Sequence, residues 1–239
     1  MSTGLPHENL ETSGLPASTA EASGNVVEFI NSQMKVLVGI IGACVLIVAG
    51  YFYYDYQQQE LNLEGLTHLS RVRNVYDMGA YDQALTGKGL PPVGTEAVKG
   101  LVAISDEYEG TPAGEQAALM AGNAYVNLGK ASEAAQQFER AAGSSSILVQ
   151  VGAKQGLASV QELQKNFAEA ATMYEEAATL ADKTGLEDQI LYRAAACYEE
   201  AKNNNKASEL YRLVVKKFEM SEVSASAKSG LARLGTAID

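Results

Sequence analysis

Tryptophan is absent from this 239-residue chain, and cysteine, histidine and proline are sparse, at two, two and five. Each scarcity excludes something. Cys44 lies in an apolar run and Cys197 far downstream in a helical pattern, so they form no disulfide framework and each reads as a small packed residue. His7 and His68 have no cysteine or carboxylate cluster at metal-ligand spacing around them, so neither a metal centre nor a nucleophile, base and orienter can be assembled. No proline follows Pro112, and β-branched residues are scarce after residue 55 while Ala, Glu, Gln and Leu abound, a composition that favours helices over strands. The expectation is an all-α chain without catalytic residues, cofactor or metal.

Basic residues are also missing from the first 34 positions, which hold four Glu and no Lys or Arg. The 19 residues from Val36 to Tyr54 then carry no charge and no proline, and as a helix rising about 1.5 Å per residue they span one bilayer core. A cleaved secretory signal needs a basic start, which is wanting. Ile41-Gly42-Ala43-Cys44 resembles a lipoprotein site only loosely, because only eight apolar residues precede Cys44 and ten uncharged residues follow it. A retained anchor at 35–55 is the expectation, with the aromatic cluster Tyr51 to Tyr54 and Tyr56 at one interface. Lys35 flanks the run on one side and Asp55, Glu60 and Glu64 on the other, which places the N-terminus in the cytoplasm. Gly39 and Ala43 form one small-xxx-small pair that would let another membrane helix approach.

After the anchor, 17 basic residues face 25 acidic ones, a net charge of −8 within the whole chain's −11. Nucleic acid and anionic lipid surfaces are disfavoured as partners, and proteins favoured. Residues 1–34 are too polar and too rich in Ser, Thr, Gly and Pro to offset ordering entropy and read as a disordered acidic tail. Residues 56–113 read as a helical stem and a degenerate leading repeat interrupted by the Gly/Pro-rich loop 86–95, with helix resuming near Glu96. The Gly-Lys-Gly in that loop lacks the spacing of a phosphate-binding loop, and Lys183-Thr184-Gly185 reads as a helix end.

From Gly114 the chain repeats itself. Gly122, Tyr125, Gly129, Ala134, Phe138 and Ala141 are echoed by Ala170, Tyr174 and Ala177 at 36 residues, and by Tyr198, Ala207, Tyr211 and Val214 further on. The pattern resembles tetratricopeptide (TPR) repeats, in which small residues let paired helices approach and large ones fill between successive pairs. Unit two departs from it with Ala158, Gln161 and Lys165 for Gly122, Tyr125 and Gly129, so only its second helix is well supported. The resemblance implies three repeats over 114–221, a capping helix over 222–239, and a groove lined by first-helix residues. Carried over to this chain, these are Gln116, Asn123, Val126 and Asn127, then Gln155, Ser159 and Glu162, then Gln189, Tyr192 and Glu199. That set lacks Lys and Arg, unlike the basic clamp with which some TPR domains hold acidic chaperone C-termini. The pairs Glu175-Glu176 and Glu199-Glu200 read as solvated helix faces.

The whole layout is similar to the YfgM-type ancillary subunits of the SecYEG translocon and related membrane-anchored TPR proteins of Gram-negative bacteria. What the resemblance implies is an inner-membrane helix and a periplasmic TPR scaffold that serves exported proteins, periplasmic chaperones or translocon subunits, with no small-molecule substrate. An accessory subunit of another membrane complex, respiratory, photosynthetic or secretory, is the alternative.

Overall fold

The computed structural model describes residues 17–182 and 184–237, with the backbone alone for 17–32, 35 and 37. Among the described residues there are ten helices and no strand. The chain divides into two units, Met1–Tyr56 and Gln57–Asp239.

Helix α1 runs Ala17–Asp77. In the first unit it carries the apolar run, whose residues from Val38 to Gly50 are all exposed, and it is the one described helix long and apolar enough to cross a membrane. Residues 17–34, expected without order, are helical; residues 1–16 lie outside the described residues. Ala17, Ala20, Glu21 and Ala22 are good helix formers, and adding residues to an existing helix costs far less than nucleating one. Gly39 and Ala43 are exposed on this segment.

In the second unit, Leu69 and Val72 of α1 are buried against Leu85, Leu101, Ile104 and Tyr108. Helix α2 spans Tyr81–Thr86 and α3 spans Leu101–Glu107. Helix therefore resumes at Leu101 and not near Glu96, because 93–96 closes a tight turn with paired backbone bonds between Val93 and Glu96. The ends of the intervening segment meet at two glycines. A Cβ on Gly100 would lie 2.3 Å from the Leu85 carbonyl oxygen, and one on Gly87 2.1 Å from that of Val98. Segment 87–100 is thus an insertion closed at its neck by backbone contact that no side chain tolerates.

Three helical hairpins follow: α4 (Pro112–Asn127) with α5 (Ala131–Ala142), α6 (Ile147–Leu163) with α7 (Phe167–Leu180), and α8 (Glu187–Glu200) with α9 (Asn204–Lys217). Thr111 caps α4 by accepting from the Gly114 N–H, with Pro112 at the first helical position. Helix α10, Ser224–Arg233, packs on α9 and covers the last core face. Both helices of the second hairpin form, although only α7 is well marked in sequence.

Five first helices end in the same turn. Gly79, Gly129, Lys165, Lys202 and Gly235 have φ between 62° and 79°, and in each case two successive N–H groups bond back to carbonyls of the last helical turn. The intervals are 50, 36, 37 and 33 residues. The first exceeds the second by 14, the length of segment 87–100, so the leading unit has the common period once the insertion is set aside. Large core residues sit between hairpins: Phe138, Tyr174 and Tyr211 are each fully buried. Gly156 meets Phe138 and Gly230 meets Tyr211 where a Cβ would lie 2.3 and 2.5 Å from the ring. The next first helix packs directly on the ring.

Candidate functional site

The first helices α4 and α6 lie side by side, and a hollow face runs along them toward α8. Three adjoining cavities run along it. The first, about 350 Å³, is lined by Tyr76, Leu119, Asn123, Val126, Asn127, Gly152, Gln155, Gly156, Ser159 and Arg193. The next, about 340 Å³, shares Val126, Ser159 and Arg193 and adds Glu162, Leu163, Lys165 and Phe167. A third, about 380 Å³, shares Glu162 and Phe167 and reaches Cys197, Glu199, Glu200 and Arg233.

Of the ten residues expected to line a groove, seven lie on these cavities: Asn123, Val126, Asn127, Gln155, Ser159, Glu162 and Glu199. Gln116 and Gln189 do not touch them, nor does Tyr192, which packs on the Tyr211 ring with centroids 5.8 Å apart. The expectation of a groove without Lys or Arg is overturned, since Arg193, Lys165 and Arg233 all line it. At the 37-residue interval between the second and third units, Tyr192 corresponds to Gln155 and Arg193 to Gly156, so the repeat register points to Tyr192 and does not single out Arg193.

Aromatic hydroxyls build the polar floor. Tyr174 reaches through from α7, donates to Glu162 Oε2 at 3.0 Å, and lies 2.7 Å from Ser159 Oγ. Arg193 of the next first helix donates from one terminal nitrogen to the Tyr174 hydroxyl at 2.8 Å and to Ser159 at 3.1 Å, and its guanidinium lies over the Tyr174 ring. Burial pushes the Tyr174 phenol up to about 12, so it remains a donor. One joint further on, Tyr211 donates to Glu199 at 2.8 Å, and Arg233 grips the same carboxylate through two nitrogens at 2.9 and 2.8 Å. Glu199 is therefore not a solvated face, and its carboxyl is held below the ordinary range by the Arg233 and Tyr211 hydrogen bonds against its partial burial. Glu175 likewise accepts from the Tyr198 hydroxyl.

The two arginines differ. Arg233 spends its fork on Glu199, whereas Arg193 bonds through a single nitrogen and is 3.9 Å from Glu162, with 48 % of its side chain exposed. Arg193 lines the groove with Asn123, Asn127 and Gln155, and its other nitrogens have no hydrogen bond among the described residues. Cys197 at the floor is buried, and that burial pushes its thiol up to about 12, which makes it an inert packing residue.

The tetratricopeptide repeat-like domain family matches residues 28–188, two thirds of the chain, from within α1 to the first turn of α8. The chain belongs to that family. No curated protein and no solved structure matches it. TPR-like domains are protein-interaction scaffolds, typically without catalysis.

Proposed function

We propose that this TPR-like protein is a membrane-tethered adaptor whose groove holds an extended polypeptide segment. The observation that carries this reading is the row of amides at Asn123, Asn127 and Gln155, ending at the half-used guanidinium of Arg193. Amide side chains both donate and accept, as a peptide main chain requires, and they do so without reading its sequence. Glu162 and Glu199 contribute through the arginines they orient, and Gln116, Gln189 and Tyr192 act outside the groove floor. The α1 anchor, with Gly39 and Ala43 as its candidate packing surface, sets the N-terminus in the cytoplasm and the repeats in the periplasm of a bacterial inner membrane. The tail–anchor–repeat layout supports a place beside the Sec translocon, assisting exported chains or periplasmic chaperones.

A mild-detergent pull-down from native membranes, with crosslinking and mass spectrometry, tests both levels. Recovery of translocon subunits or exported chains, lost on Asn123→Ala with Gln155→Ala, supports the adaptor. Stoichiometric recovery of another complex, untouched by those changes, contradicts it and favours an accessory subunit held by its helix.

A further inference from the structure

His68 has no part in the groove, yet it is the most awkwardly placed polar side chain in the second unit. It lies on α1 with 5 % of its surface exposed, and its ring stacks on Tyr108 with centroids 5.9 Å apart. Nδ1 is buried without a hydrogen-bond partner among the described residues, and Nε2 is 3.9 Å from Glu64. Three elements converge there. From α1 come Glu64 and Arg71; from the insertion 87–100 come Glu96, which pairs with Arg71 at 3.5 Å, and Lys99; from the end of α3 come Glu107 and Tyr108. Lys99 ties the last two together, donating to Glu107 at 2.7 Å and to the Tyr108 hydroxyl at 3.0 Å.

We propose that His68 is a pH-sensitive latch, holding the insertion and α3 against α1 while its imidazole is neutral and releasing them when it is protonated. The neutral ring leaves one nitrogen unsatisfied, whereas the charged ring has a second N–H to place where no acceptor stands. Protonation also puts a third positive charge beside Lys99 and Arg71. The facing carboxylates compensate weakly, since Glu64 and Glu96 are 58 % and 69 % exposed and screened by solvent. Opening relieves both problems, because Tyr108, which stacks on the ring, and the Lys99 tie belong to the parts that move away. Burial first, then Lys99 and Arg71, lower the His68 pKa. The packed form thus binds fewer protons than the released form, so packing is complete above the ordinary histidine range near pH 6.5 and weakens as pH falls through it toward the lowered folded value.

Hydrogen exchange of the full chain in lipid nanodiscs, corrected for intrinsic rates, reads this at about pH 7.5 and about pH 5.5. The expected result is several-fold faster exchange over 87–108 at the lower pH, with 131–217 unchanged, and no such difference in His68→Phe, which keeps a stacking ring without a titratable nitrogen. His7→Gln, the other histidine's variant, keeps the response. His68→Gln gives the same reading should the phenylalanine variant fail to fold. Equal exchange at both pH values in the wild type, loosening spread evenly into 131–217, or a response that survives loss of the His68 imidazole would each overturn the latch.

Discussion

Tyr174 donates its phenolic hydrogen to Glu162, twelve residues before it, and Tyr211 stands in the same relation to Glu199. In the first hairpin the matching pair is Phe138 and Val126, and Phe138 packs instead on Val126, Leu157 and Val160. A hydroxyl at the core aromatic thus goes with an acceptor twelve residues earlier and an arginine on the next helix. Its absence goes with apolar side chains at all three places. The two joints nearest the C-terminus are each fastened by a polar triad around a buried tyrosine, and the first by packing alone.

The triad makes a pairwise prediction. Tyr174→Phe leaves Glu162, Ser159 and Arg193 without their shared hydroxyl and is expected to cost about 1 kcal/mol, whereas Tyr174→Phe combined with Glu162→Val costs less than the sum of the single changes. Urea unfolding of residues 57–239 within the intact chain, in a double-mutant cycle, checks it; strict additivity would count against a coupled triad.

Glu199 ties the array to acid. Its carboxyl is held below the ordinary range by Arg233 and Tyr211, so the packed state binds fewer protons than the unfolded state, and the stabilisation present above about pH 4.5 is lost as pH falls through the folded value. Arg233 is half exposed, which limits the contribution to about 1 kcal/mol or less. Thermal melts from about pH 7 to about pH 3 should show Arg233→Gln less stable at neutral pH and converging on the wild type in acid.

Close approach at Phe138 should be unforgiving. Gly156→Ala sets a methyl 2.3 Å from a ring carbon and is expected to destabilise by about 1–3 kcal/mol. Phe138→Leu vacates part of that volume, so the double variant should be more stable than the sum of the two losses predicts, as read from the shift in melting temperature.

Lys165 and Lys202 hold the left-handed turn that Gly129 holds at the first hairpin, at φ 64° and 62°. Lys165→Gly and Lys202→Gly should each be neutral to stabilising by up to about 1 kcal/mol, because release of left-handed strain outweighs the added freedom of the unfolded chain. A fall in melting temperature in both would show that those lysines contribute through contacts instead.

These turns also show what the sequence could carry. The period of 36 and 37 residues, the small residues at Ala134 and Ala170 and the large ones at Phe138, Tyr174 and Tyr211 are legible because each position faces the same packing problem in every unit. The turn position is less so, since Lys165 and Lys202 disguise a conformation that Gly129 advertises. Helix α6 was obscured for the same reason: Ala158 and Lys165 do the work of Gly122 and Gly129 with different residues. The leading unit hid behind segment 87–100, whose closure rests on Gly87 meeting Gly100, a contact made across 13 positions that no local pattern reveals. In the groove, spacing picked out the amides of Asn123, Asn127 and Gln155, whereas Arg193 and the engagement of Glu199 depend on hydroxyls reaching through from the second helices, which is a property of the packed pairs.

The central claim, that the hollow first-helix face is where a protein partner lies, is tested most directly by photo-crosslinking in native membranes. A crosslinking amino acid is placed in turn at Asn127 and Gln155 on that face and at the exposed second-helix positions Glu139 and Glu176. The expected result is one shared set of crosslinked proteins from Asn127 and Gln155, weakened by Arg193→Ala, and none of that set from Glu139 or Glu176. Crosslinks of equal strength from the second-helix positions, or none from Asn127 and Gln155 while the partner is still recovered, would contradict it.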